Sequence, residues 1–242
     1  SQDADFTESQ KDALPAGWEW KSVDDLVLEG PYNGISIPGS EKPPGVPVLK
    51  LNAMTNSGFD YTKIKYIQLE QKIIDRLQLR VGDFFVSRGN GSVSKMGRGT
   101  LVREAPSEVT VYPDLMIRLR FPEHLCSWIS LIWSSPIVRS QIESKMKTTA
   151  GIWKILQKDL KSIRLPIPPN HELSDRESQL KQLLDSLEIV EKTIEDQLHS
   201  LPMLENAVLT QAFLGALNYR LSAQSGDSSG GQSSLRAIAK SV

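Results

Sequence analysis

A chain of 242 residues with 39% hydrophobic and 24% charged side chains can bury one large core, or one domain plus an appendage. No apolar run approaches the roughly 18 residues of a membrane span, the acidic, polar opening residues do not read as a secretory signal, and a single cysteine, Cys126, excludes an internal disulfide, so a cytoplasmic location is expected. The net charge of −1 conceals an uneven distribution: residues 1–30 carry 2 basic and 8 acidic side chains, residues 31–165 carry 20 and 11 (net +9), and residues 166–242 carry 6 and 10, an asymmetry that points to a polyanionic partner for the middle of the chain.

Residues 1–13 read as a flexible linker or tail, and order is expected from Leu14-Pro15 onward, anchored by Trp18 and Trp20. Ser22 is placed to cap a short helix over Val23 to Glu29. Strands are expected over Val46 to Leu51, Ile64 to Leu69, Asp83 to Ser87, Thr100 to Arg103 and Asp114 to Arg120. In the last, Leu115, Ile117 and Leu119 alternate with Met116, Arg118 and Arg120, the pattern of a half-exposed strand. Short helices are expected over Glu70 to Leu77, Glu123 to Trp133 and Gln157 to Ile163, and Ser135-Pro136 opens a further helix with Val138, Ile142 and Met146 on one face. Cys126 falls in an apolar run and is expected in the core. The segment Leu165 to Pro169 must be extended, because each proline drives its predecessor out of the α region.

A long helix follows, about Leu173 to Ser200. Its heptad positions read Leu180, Leu183, Leu187, Val190, Ile194, Gln197 and Leu201, all but one apolar, and such a stripe seeks another helix. Pro202 is expected to end that helix and start a second over Met203 to Leu217, making a helical hairpin. Residues 221–235 are rich in Ser and Gly, and 218–242 reads as a flexible tail. The fold class is therefore α+β: a globular mixed domain over 14–169, then a coiled-coil-forming helical region over 170–217.

Three segments carry candidate chemistry. The first is Ser87 to Gly99 (SRGNGSVSKMGRG), with glycines that let backbone N–H groups approach phosphates and with Arg88, Asn90, Ser92, Lys95 and Arg98 as candidate DNA contacts. The plainer alternative is a flexible hairpin loop whose cations face water. The second follows Lys50 through Asn52 and Asn56, residue types that read base edges but also build ordinary turns. The third is Lys145 to Lys154, where Thr148, Thr149 and Lys154 are candidates and Trp153 belongs to the core.

Enzyme readings fail for want of residues. His171-Glu172 lacks the second histidine of a zinc-protease helix, three histidines and one cysteine make no convincing metal set, and no phosphate-binding loop appears. A nuclease built on Asp114 with Glu143 and Lys145 would need the latter two on a strand, whereas a helix is expected there. No catalytic residue, metal site or bound cofactor is assigned.

The chain resembles the DNA specificity subunits of type I restriction-modification systems. The resemblance rests on LPAGWEW (14–20), Val46 to Phe59, VGDFFVSRG (81–89) with its later MGRG, DLKSIRLPIPP (159–169), the long helix, and LPMLENAVLTQAFLGAL (201–217). It implies a target-recognition domain over 14–169 that reads one half of a split double-stranded DNA site. It implies a spacer over 170–217 that pairs with an equivalent helix, of a second copy or a second half, and docks modification subunits. S-adenosylmethionine, ATP and Mg²⁺ would belong to the methyltransferase and restriction partners. Members of the family usually carry two such halves in one chain, whereas this sequence has one. A homodimeric DNA-binding regulator without methyltransferase partners is the competing reading.

Overall fold

The computed structural model describes residues 14–55, 57–90, 92–149 and 152–213. The expected tails, the last residues of the spacer and Asn56 lie outside them. The chain separates into two compact units, the first ending at Lys181 and the second beginning at Gln182.

In the first unit, strand β1 (Glu19–Ser22) leads into helix α1 (Val23–Leu26). Ser22 caps α1 in a reciprocal box: its Oγ accepts from the Asp25 N–H at 3.1 Å, and the Asp25 carboxylate accepts from the Ser22 N–H at 3.0 Å. The Ser22 hydroxyl, donating to the Asp25 carboxylate at 2.6 Å, and then the Ser22 N–H hold the Asp25 carboxyl below its ordinary pKa. Then come β2 (Glu29–Asn33), β3 (Val46–Leu49), β4 (Ile64–Ile67), α2 (Gln71–Leu77), β5 (Asp83–Ser87), β6 (Gly89–Asn90) and β7 (Gly99–Leu101). They are followed by β8 (Met116–Arg120), α3 (Glu123–Ile132), α4 (Pro136–Lys145), β9 (Lys147–Thr149), β10 (Ile152–Lys154), α5 (Gln157–Lys161) and β11 (Arg164–Ile167).

A four-stranded sheet in the order β2-β8-β5-β7 divides the unit. Alternation along β5 and β8 sends Phe84, Val86, Ile117 and Leu119 into one core, with Trp128, Ile129, Val138, Ile142 and Leu160 of the helices. Phe85 and Met116 enter a second core, with Val48, Leu49, Ile74, Leu77 and Tyr112. Phe85 meets Tyr112 edge-on at 4.7 Å, and Phe84 meets Trp133 at 5.0 Å. Cys126 is buried as expected, and that burial pushes its thiol pKa up. Ser135 caps α4 with Pro136 at its first position, also as the sequence indicated.

Strand β8 corrects the half-exposed expectation. It pairs on both sides, with β2 and β5, and both its faces are covered, so Arg118 is only 4% exposed. The alternation was real, but the arginines of its polar face meet carboxylate and aromatic partners, among them the buried Asp83 and Tyr112. Arg120 pairs with the buried Asp83 at 2.5 Å and with Glu29 at 2.7 Å. Sequence periodicity also gives no sign of β2, whose run EGPYN has little strand character, or of the short pair β9–β10.

Antiparallel pairing of β1 with β11 ties the start of the described chain to the segment before the long helix α6 (Asn170–Phe213). Trp18 packs edge-on against Trp128 at 5.5 Å, and the Trp128 Nε1–H donates to the Pro166 carbonyl at 2.9 Å. The compact unit runs on into the first turns of α6 because Leu173 is buried in the first core and Leu180 packs against it. Leu180, one of the residues expected to pair with a partner helix, is partly covered by its own domain.

The second unit is helical over its described residues. The helix runs through Pro202 rather than breaking there, which corrects the expected hairpin. Proline in a helix interior removes one hydrogen bond and crowds the preceding turn, yet residues 195–213 contain no glycine to make the tight turn a hairpin needs. Leu183, Leu187, Val190, Ile194 and Leu201 are all exposed, as are Leu184 and Leu198 beside them.

Candidate nucleic-acid interface

The segment Ser87 to Gly99 is pinned to the core rather than swinging as a free hairpin. Ser87, 2% exposed at the end of β5, donates its hydroxyl to the Lys95 carbonyl at 2.8 Å and accepts from the Arg98 N–H at 3.0 Å. The Gly97 N–H donates to the Ser87 carbonyl at 3.0 Å, and the Gly97 carbonyl accepts the Trp133 Nε1–H at 2.9 Å. Gly97 sits at φ +70°, where a Cβ would lie 2.4 Å from Ile142 Cγ2. From α4, the Arg139 guanidinium donates to the Val93 and Met96 carbonyls. Arg139 is thus a positioning residue that sequence reasoning missed, because its i,i+4 spacing to Glu143 looks like an ordinary surface pair. That pair forms at 2.7 Å on the helix, so Glu143 is not on a strand beside Asp114, as the nuclease reading would require.

The three candidate segments converge. The Arg98 Nη1 donates to the Met54 carbonyl at 3.1 Å, and the Thr100 hydroxyl donates to the Thr55 carbonyl at 2.9 Å, fastening the segment after Lys50 to the glycine-rich one. Asn52, Lys95 and Arg98 share a cleft of about 450 Å³ with Ser87 and Met54. On the other side β6 pairs with β10, so Asn90 lies opposite Trp153 and Gly89 opposite Lys154. The backbone of Arg88 extends that junction, donating to the Leu115 carbonyl at 2.7 Å and accepting from the Ile155 N–H at 3.1 Å. Thr148 and Thr149 lie on β9, and β9 pairs with β10. Trp153 packs on the first core, as expected.

Individual candidates fare differently. Lys50 is engaged with Glu41 at 2.6 Å, Ser92 with Ser94 at 2.9 Å, and part of the Arg98 guanidinium holds Met54. Among the described residues, Arg88, Lys95, Lys147 and Lys154 have no carboxylate within ion-pair distance. Lys147 and Lys154 are cross-strand partners in β9–β10, and both are exposed. Like charges directly opposed on one sheet face are unfavourable without a counterion. Among the described residues no group of three or more His, Cys, Asp and Glu side chains could hold a metal ion. No helix among them is long and apolar enough to cross a membrane.

No family model matches this chain. Curated proteins do match it, and its homologues among them are type I restriction enzyme specificity subunits. The EcoKI specificity subunit of Escherichia coli K12 is 28% identical over 239 residues, which is 98% of this chain and 52% of that protein. The StySPI specificity subunit of Salmonella potsdam is 23% identical over 93% of this chain and 49% of its own length. The fold is shared with the HsdS subunit of Thermoanaerobacter tengcongensis, at a TM-score of 0.51 and 19% identity, over 84% of this chain and 46% of that one. It is shared too with a chain from a structure of type I R-M system assembly, at a TM-score of 0.60 and 19% identity, over 83% and 46% respectively. The chain spans about half the length of the curated relatives it matches.

Proposed function

We propose that this chain is the non-catalytic DNA-reading module of a type I restriction-modification complex, and that it recognises one half of a bipartite site. The carrying observation is the convergence of three segments into one surface whose cations Arg88, Lys95, Lys147 and Lys154 lack carboxylate partners among the described residues, two of them directly opposed. Phosphates neutralise such a surface, while Asn52 and the free part of the Arg98 fork stand at the cleft where base edges are read. The similarity to specificity subunits supports this reading. In it, α6 pairs through Leu183, Leu187, Val190, Ile194 and Leu201 with a second copy or a second specificity half, and methyltransferase and restriction subunits in the cytoplasm bring S-adenosylmethionine, ATP and Mg²⁺.

Duplex binding and methylation by the assembled complex test this. Lys95→Ala and Lys154→Ala should each weaken binding to all sequences and shallow the salt dependence by about one unit. Arg98→Ala should cost about 1–3 kcal/mol, concentrated at one base pair. Unchanged binding and methylation in all three would overturn the assignment of this surface. Recovery of the intact chain from cells without any methyltransferase would favour a stand-alone DNA-binding regulator.

A further inference from the structure

At the end of β5 away from Ser87, a cavity of about 690 Å³ opens between β2, β8 and the end of α2. Its wall carries four arginines, Arg76, Arg80, Arg118 and Arg120, against two carboxylates, Glu29 and Asp75. Glu29 is shared between Arg120 at 2.7 Å and Arg118 at 3.9 Å, and Asp75 accepts from the Gln71 amide at 2.8 Å. Arg118 lies between two aromatic rings, its guanidinium carbon 5.8 Å from the Tyr32 centroid and 5.6 Å from that of Tyr112. One of its nitrogens, Nη1, donates to the Arg76 carbonyl at 3.0 Å.

Two buried polar groups in this wall are unmet. The Nε–H of Arg118, a residue 4% exposed, and the hydroxyl of Tyr112, a residue 0% exposed, have no hydrogen-bond partner among the described residues. Each such group costs about 1–3 kcal/mol when left unpaired, and both lie just behind the cavity wall with almost no accessible surface. The guanidinium groups of Arg76 and Arg80 likewise meet no carboxylate among the described residues, and both side chains are exposed at the mouth. The volume lies in the range of small-ligand sites, about 300–1,000 Å³.

We propose that this cavity is a binding site for a phosphate group carried by a small molecule, either free phosphate or a mononucleotide. The arginine forks of residues 76 and 80 take the oxyanion oxygens at the mouth. Arg118 and Tyr112 form the floor, and the half-exposed Tyr32 ring offers a stacking face at the rim. The site is independent of the DNA-reading surface, and the proposal stands whether or not that surface reads DNA.

Isothermal titration of the full chain with inorganic phosphate and with adenosine monophosphate, against chloride at matched ionic strength, tests this. One saturable site per chain is expected, weakened at least tenfold by Arg80→Ala, whose side chain is exposed and leaves the fold intact. Arg76→Ala removes the other exposed fork at the mouth and should weaken phosphate binding likewise. Tighter binding of the mononucleotide would identify a nucleotide ligand, and equal binding a bare phosphate. Both results support the site. Absence of saturable binding, or binding indifferent to both substitutions, would overturn it. So would displacement of the phosphate by duplex DNA together with weakened duplex binding in Arg80→Ala, which would assign the arginines to the DNA interface.

Discussion

Gly97→Ala separates two physical terms at the base of the glycine-rich segment. The residue holds φ at +70°, and an added methyl would approach Ile142 Cγ2 to 2.4 Å. Ile142 is 1% exposed and β-branched on a helix, so its χ1 is stiff and it cannot swing aside. Gly82 is the internal control: it sits at φ +86° with nothing within 4 Å of a built Cβ, so alanine there meets backbone strain alone. Left-handed backbone costs an L-residue roughly 1–2 kcal/mol, partly offset by about 0.4–1 kcal/mol from the stiffer unfolded chain, so Gly82→Ala should cost about 1 kcal/mol. Overpacking adds about 1–3 kcal/mol, so Gly97→Ala should cost about 2–4 kcal/mol in all. Urea unfolding of the three proteins measures both, as shifts of the midpoint at constant m-value. Equal midpoints for the two variants would show that the contact with Ile142 does not constrain this segment. Relaxation of the segment in Gly97→Ala would also shift the Met54 anchor through Arg98, so weaker duplex binding should accompany the lost stability.

Tyr112 supplies a pH prediction: burial pushes its hydroxyl pKa up to about 12. A pKa raised on folding stabilises the native state below the unfolded value near 10, and that contribution is lost as pH rises through the folded value. Two units correspond to roughly 2–3 kcal/mol, so wild type should lose about that much more stability than Tyr112→Phe between pH 10 and 12, and parallel curves would contradict the assignment. Asp83→Ala removes a carboxylate 1% exposed that holds Arg120 at 2.5 Å and the Arg80 N–H at 2.9 Å. Breaking a buried pair from one side costs about 3–5 kcal/mol, and a midpoint change equivalent to under 1 kcal/mol would show that Glu29 alone suffices for Arg120. Leu187→Asp with Ile194→Asp places charge in the exposed stripe of α6. Sedimentation should show self-association at tens of micromolar in wild type and none in the variant, and a monomeric wild type would remove self-pairing as the role of the stripe.

Much of the local architecture is written in short-range chemistry. Ser22 and Ser135-Pro136 announce their helices because a side-chain oxygen and a fixed proline φ act within one turn. Strand β5, DFFVS, is recognisable from β-forming residues alone. The long amphipathic helix was equally visible in its heptads, and so were the three polar segments of the candidate interface. Their convergence was not visible, because it depends on pairings such as Gly89 with Lys154 and bonds such as Arg98 to Met54, which join residues far apart in the chain. The opposition of Lys147 and Lys154 likewise exists only once β9 and β10 set their register.

Residue type and spacing alone determined the α+β composition, the helix caps, the basic character of the middle segment and the apolar stripe of α6. Each of these follows from periodicity or charge counted along one stretch of chain. Tertiary structure decided the fate of charge: which arginines are buried, as Arg118 is and Arg120 partly is between β2 and β5, and which lysines are left without a counter-ion. The physical reason is that the worth of a charge depends on what desolvates and faces it, and both are set by strand pairing across long separations.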